Sequence, residues 1–178
     1  MKLNIGCCDR AFPGFVSVDL VPPADQLVNL AEPWPWQDSS VEEIRAWDII
    51  EHIGDCNHMG WQWCETCVRH RGGMPFGQKI RDFRGSIHVM NEAHRVLRPG
   101  GRFDIIVPTT DGRGAWQDPG HVSFWNRNSF LYFTHGDAHL TRFAPANGVQ
   151  CAYRVIEEQE SMHPGKVSKL HIVLEAVK

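Results

Sequence analysis

The sequence predicts an open α/β fold, a mostly parallel sheet that ends in an antiparallel hairpin. Three observations carry this. Short apolar runs at 3–5, 15–20 and 26–30 crowd the start of the chain. One helical pattern begins at Ser86 and leads through Arg98-Pro99-Gly100-Gly101 into the apolar run Arg102 to Val107. Near the end, Val149, Cys151, Tyr153 and Val155 alternate, as do Leu170, Ile172, Leu174 and Ala176, on either side of a Met-His-Pro-Gly-Lys turn at 162–166.

The elements follow in order. Leu3-Asn4-Ile5 is a buried strand cut off by Gly6, and Phe15 to Leu20 alternates as a second strand stopped by Pro22-Pro23. Gln26 to Leu30 is a third short strand. Pro33 and Pro35 keep the Glu-Pro-Trp-Pro-Trp segment at 32–36 out of a regular helix. Ser39-Ser40 before Val41-Glu42-Glu43 reads as a helix start, and Glu43 to Trp47 as a strand. Residues 54–85 break all periodicity. From Ser86, Ile87, Met90, Ala93 and Leu97 share one helical face, flanked by Val89 and Val96, until Pro99 and the two glycines end it.

The 178 residues are 42% apolar and 22% charged, a globular composition. The length suits a single domain over 1–178 that buries roughly 70% of its unfolded surface, with 54–85 as an insertion. A formal charge of −3 excludes a global basic field for nucleic acid or anionic lipid. No run approaches the ~18 apolar residues of a membrane span. Met1-Lys2 passes straight into the first strand without a signal-peptide pattern, so a cytoplasmic protein is expected. Six cysteines in a chain of this size suggest free thiols or a metal site rather than a disulfide scaffold.

In an open parallel sheet, ligands bind beyond the carboxyl ends of the strands. Gly6, just after the first strand, lets the backbone approach a ligand closely, and Asp19, ending the second, is placed to accept the hydroxyls of a ribose. That pairing requires Gly6 and Asp19 at one edge of the sheet with open space between them. The blocks LNIGCC (3–8), GFVSVDL (14–20), DSSVEEIRAWDIIEHI (38–53) and HRVLRPGGRFDIIVP (94–108) occur in this order. Together they resemble the class I S-adenosylmethionine-dependent methyltransferases, and among them the small type-11-like enzymes reading LNLGCG…GFVNVD…EHI…RVLKPGG.

The resemblance spans roughly residues 3–130. It implies a Rossmann-like three-layer sandwich with about seven strands and a reversed last strand. It also implies methyl transfer from S-adenosylmethionine to an oxygen, nitrogen or carbon acceptor. Gly6 would line the methionyl side, Asp19 the ribose, Asn29 or Leu30 the adenine, and Asp48 would follow strand four beside the cofactor. Asn4, Cys7, Cys8, Leu20 and His52 complete the implied cofactor set. Two departures stand out. Cys8 replaces the loop's usual second Gly, and only six residues separate Cys8 from Phe15, so the first helix must be very short or absent. A helix before strand one is missing as well, which leaves one sheet face less covered. The alternative is a non-catalytic relative that uses its insertion to contact a partner.

The loop DPGHVSFW at 118–125 supplies the acceptor-side candidates. His121 is the preferred base, because imidazole titrates near physiological pH, with Asp118 beside it; the bland reading is that the two merely brace the loop. Glu51-His52, also part of the family pattern, reads as a polar pair holding the cofactor loop. Trp34, Trp36, Trp116 and Trp125 sit on segments that would meet at the pocket mouth, though ordinary core packing is the fate expected for half of them.

Within the insertion, Cys56-x-His58 and Cys64-x-x-Cys67 offer four ligands of the kinds tetrahedral zinc prefers, with free thiols as the competing reading. His70 is a spare ligand. Arg69, Arg71, Lys79, Arg81 and Arg84, opposed only by Asp82, form either a phosphate-contacting stretch for a nucleic-acid or nucleotide partner or a solvated loop. The acceptor, small molecule or macromolecule, is not identified by any of these motifs.

Overall fold

The structure is a computed structural model that describes residues 1–7, 10–54, 85–134 and 138–178. Seven strands form one sheet: β1 (Lys2–Ile5), β2 (Val16–Asp19), β3 (Gln26–Leu27), β4 (Val41–Trp47), β5 (Leu97–Pro108), β6 (Tyr153–His163) and β7 (Val167–Ala176). Their order across the sheet is β3-β2-β1-β4-β5-β7-β6. The first five run parallel, while β7 is antiparallel to both β5 and β6. The mostly parallel sheet with a C-terminal antiparallel hairpin is therefore as the sequence predicts.

The long helix α1 (Gly85–Val96) buries Gly85, Val89, Met90, Ala93 and Val96 against the sheet, at the spacing of one helical face. Gly85 is required by contact: a Cβ there would lie 2.2 Å from the carbonyl oxygen of Ile53. Three short helices follow, α2 (Gly114–Gln117), α3 (Leu131–Thr134) and α4 (Ala138–Phe143). No helix among the described residues is long and apolar enough to cross a membrane.

Several local expectations are corrected. No helix starts at Ser39: that residue has a φ of 56°, and the fully buried Val41 opens β4 by pairing with Leu97. A few residues cannot sustain a helix nucleus against the burial of a β-branched side chain in a sheet. Leu97 accordingly belongs to β5 rather than to the helix. The third strand keeps only Gln26–Leu27. At the other edge, Val149 and Cys151 are buried but precede β6, and Val155 is 38% exposed because β6 has a neighbour on one side alone.

The two faces of the sheet differ. Register places Leu3, Ile44, Phe103 and Leu174 in one row and Ile5, Ala46, Ile105 and Ile172 in the next, all buried in one apolar core with α1. The opposite face carries Lys2, Glu43, Arg102 and Glu175, then Asn4, Arg45, Asp104 and Val173. Residues 10–15, which connect to β2 without a helix, fold over this polar face. There the Phe12 ring lies 3.5 Å from the Arg45 guanidinium and the Phe15 ring 5.2 Å. Of the three expected layers, the described residues supply the sheet, one helical layer and this aromatic hook.

Candidate functional site

The strand order reverses at β1, which has β2 on one side and β4 on the other. Beyond the carboxyl ends of β1 and β4 lies a cleft of about 370 Å³ whose walls include Asn4, Gly6, Cys7, Arg45, Trp47 and Asp48. This is the switch-point position at which open α/β sheets bind ligands, and the volume lies in the small-molecule range. Gly6 continues the ladder to β2 through an N–H bond to the Val18 carbonyl, 2.8 Å, then turns with a φ of 64°. A Cβ at Gly6 would stand 2.2 Å from Cγ1 of Ile49, so a side chain is excluded there.

Asp19 ends β2 at the same edge, and its carboxylate accepts the Leu20 N–H at 2.7 Å. Burial, reinforced by the charge of Asp19, raises the pKa of the Cys7 thiol. Gly6 and Asp19 thus follow the registered pair Ile5 and Val18 at one edge of the sheet, and the cleft is walled by Gly6 but not by Asp19. The Asn4 amide donates to the Arg10 carbonyl at 2.9 Å, which anchors the connection over the cleft. Asp48 has a φ of 53° and pairs with Lys169 at 2.5 Å.

Other expected cofactor residues are placed differently. Asn29 braces its own turn, accepting from the Ala31 N–H and donating to Glu32. Leu30 is packed into the core and Leu20 is exposed; none of these three walls the cleft. Cys8, and the zinc candidates Cys56, His58, Cys64 and Cys67 with His70 and the basic stretch, lie outside the described residues.

A second centre forms where the turn Ile50–His52 meets the loop at 118–125. The Glu51 carbonyl accepts N–H bonds from Val122 and Ser123, at 2.9 and 3.1 Å, and so hangs the loop on the end of β4. His121 donates through Nδ1 to the Ala115 carbonyl, 2.9 Å, and His52 through Nδ1 to the Gly120 carbonyl, 3.2 Å. A carbonyl only accepts, so Nδ1 carries a proton in each ring. The two rings meet edge to face at 4.6 Å.

Nε2 of the nearly buried His121 lies 4.0 Å from Oε1 of Glu51 and 3.9 Å from Oδ2 of Asp118. Glu51 is 1% exposed, and neither of its oxygens accepts a hydrogen bond from another described residue. Burial pushes its pKa up to about 7; its own backbone N–H and Lys169 oppose the rise, while Asp48 and Asp118 add to it.

The sequence reading assigned Glu51 to bracing and missed its burial. The available signal was a carboxylate set among Ile49, Ile50 and Ile53. Arg45 was also missed, although it sits between the buried Ile44 and Ala46, where strand alternation turns it away from the core. The tryptophans divide. Trp34 and Trp36 form an edge-to-face pair buried in the core, and Trp125 packs beside Phe130. Trp116 is exposed and stacks on Phe124 at 4.5 Å. The first two are therefore core residues and not the rim of a pocket.

No family model and no curated protein matches the chain. Solved structures do, at low identity. The 1,6-didemethyltoxoflavin-N1-methyltransferase of Burkholderia thailandensis, solved with 1,6-didemethyltoxoflavin and S-adenosylhomocysteine, aligns with a TM-score of 0.57 and 14% identity, over 99% of this chain and 71% of that one. An S-adenosylmethionine-dependent methyltransferase of Methanosarcina mazei aligns with a TM-score of 0.57 and 11% identity, over 99% and 92%. The cyclase SpnF aligns with a TM-score of 0.54 and 9% identity, over 99% and 74%. With its seven-stranded sheet and reversed β7, this chain has the fold of the class I S-adenosylmethionine-dependent methyltransferases.

Proposed function

We propose that this chain transfers a methyl group from S-adenosylmethionine to an oxygen, nitrogen or carbon acceptor. The observation that carries the reading is the cleft at the strand-order reversal, floored by the obligatory glycine at Gly6 and sharing its edge with Asp19. Asn4, Gly6, Cys7, Asp19 and Asp48 would hold the cofactor. Leu20 and Asn29, which follow β2 and β3 at that edge, would bound its nucleoside end only from outside the cleft walls.

The cofactor supplies an already activated methyl group, which leaves the protein to align the acceptor and to manage its proton. His121 is suited to the second task. Its Nδ1–H is committed to the Ala115 carbonyl, so Nε2 is the basic nitrogen, and Asp118 at 3.9 Å would steady the imidazolium once formed. The neighbouring cleft of about 300 Å³, walled by Ser86, Ser123, Phe124, Trp125 and Tyr132, is the acceptor space this arrangement suggests. The acceptor is a small molecule or an exposed group of a macromolecule.

A second reading keeps the fold without turnover. It is favoured by the short connection after β1; SpnF, a cyclase, shows that similar folds also serve reactions other than methyl transfer. Calorimetry with S-adenosylhomocysteine separates the two. The wild-type chain is expected to bind it, and Asp19→Ala to bind at least about tenfold more weakly with an unchanged melting temperature. Absence of binding by the wild type would overturn the methyl-transfer reading.

A further inference from the structure

We propose that Glu51, His52 and His121 form a binding site for a divalent transition-metal ion of the zinc type. One ligand atom from each residue lies within 4.8 Å of the other two. Nε2 of His121 and Oε1 of Glu51 are 4.0 Å apart. Ligands about 2.0–2.1 Å from a tetrahedral zinc stand about 3.3 Å from one another, so the ligand atoms would close by up to about 1.5 Å around an ion.

Two further features point to a cation. The Glu51 carboxylate is stripped of water and receives no hydrogen bond from another described residue, an arrangement that is costly for an ionised group unless a positive charge meets it. Asp48 and Asp118 add negative potential; Lys169, the neighbouring cation, is already paired with Asp48. Both imidazoles also donate Nδ1–H to main-chain carbonyls, at Ala115 and Gly120. Metal-binding histidines are held in this way, with the outer nitrogen tied back and the inner lone pair presented.

The donor set names the class of ion. Two imidazoles and one carboxylate suit zinc and its transition-metal neighbours, whereas magnesium and calcium prefer oxygen ligands throughout. Three protein ligands leave a coordination position open. Asp118 approaches Nε2 of His121 from the solvent side, with its side chain 49% exposed. If the methyl-transfer reading holds, an ion here would take over the task assigned to His121 by lowering the acceptor's own pKa. Ion binding itself does not depend on that reading.

The test uses the full chain, stripped with a chelator and titrated with Co²⁺ as a coloured stand-in for Zn²⁺. Visible ligand-field bands that Zn²⁺ displaces are expected, and they should persist in Cys64→Ser, which disables the other candidate cluster. Glu51→Gln and His121→Gln should each weaken binding at least about tenfold, with Asp118→Asn, which removes only nearby negative charge, weakening it less. His52→Gln replaces any variant whose far-ultraviolet circular dichroism shows misfolding. Near-ultraviolet thiolate charge transfer without independent ligand-field bands would put the ion on cysteines and overturn the site. Unchanged affinity in the Glu51 and His121 variants would overturn it as well. Co²⁺ binding without S-adenosylhomocysteine binding would remove the methyl-transfer reading and leave the ion site intact; the reverse pattern would remove the ion site alone.

Discussion

The two faces of this sheet are built from the same strands by different physics. On the face under α1, registered rows such as Leu3, Ile44, Phe103 and Leu174 are fully buried, and the stabilisation scales with apolar area removed from water. On the opposite face, registered neighbours are ion pairs: Lys2 with Glu43, Arg45 with Asp104, and Arg154 with Glu175. The pairs Lys2–Glu43 and Arg154–Glu175 are partly exposed and contribute little each, whereas Arg45–Asp104 is largely buried. Among the described residues, the face opposite α1 is covered by the segment 10–15, and the strand residues beneath it are polar and pair across strands. The cleft beside β1 is walled by Asn4 and Arg45 of the polar face together with Gly6 and Cys7.

The largest effect expected from this contrast is on the covered face. Phe103→Ala removes a fully buried ring from the centre of β5 and should cost about 3–5 kcal/mol, read by denaturant unfolding. A loss below about 1 kcal/mol would mean that this core does not hold the sheet.

Arg45→Met asks the reciprocal question. Among the described residues, the buried Arg45 Nε and Nη1 atoms have no hydrogen-bond partner, Asp104 lies 3.6 Å from Nε, and the guanidinium stacks on Phe12 and, at 4.2 Å, on Trp47. Methionine keeps much of that packing and removes the unpaired donors, so stability should stay within about 1 kcal/mol of wild type. Asp104 keeps Trp47 and His171 as partners. A drop comparable to that of Phe103→Ala would dissolve the distinction between the faces.

The smallest effect is a pH slope on the helical side. His94 in α1 has its pKa lowered by burial, an effect only partly countered by its bond to the Val177 carbonyl. The folded state therefore resists the proton that the unfolded chain takes up. Its contribution is present above the ordinary histidine pKa and is lost as pH falls through and below that value. The difference in unfolding free energy between wild type and His94→Gln, measured at pH 7 and again at pH 5, should shift against the wild type at the lower pH. A constant difference would show that His94 does not titrate against the fold.

Much of the architecture was legible because it depends on neighbours in sequence. Alternation marks β2 and β7, the spacing of Val89, Met90, Ala93 and Val96 marks α1, and Gly6 marks the turn after β1. The misreadings arose where a partner far along the chain overrode a local preference. Ser39 to Glu43 carries helix-start residues, yet Val41 is claimed by Leu97. Trp34 and Trp36 lie in a proline-rich segment, yet Glu92 and Arg95 of α1 bind its backbone and draw both rings into the core.

The amino-acid order alone was enough to mark most of the strands, the long helix and the turn after β1, since periodicity and turn chemistry are properties of adjacent residues. It was also enough to place Gly6 and Asp19 at neighbouring strand ends. Burial of Glu51 between two histidines, and the seating of Arg45 beneath Phe12, emerged only on folding. Desolvation and charge pairing depend on what distant segments bring together, and no local pattern records that.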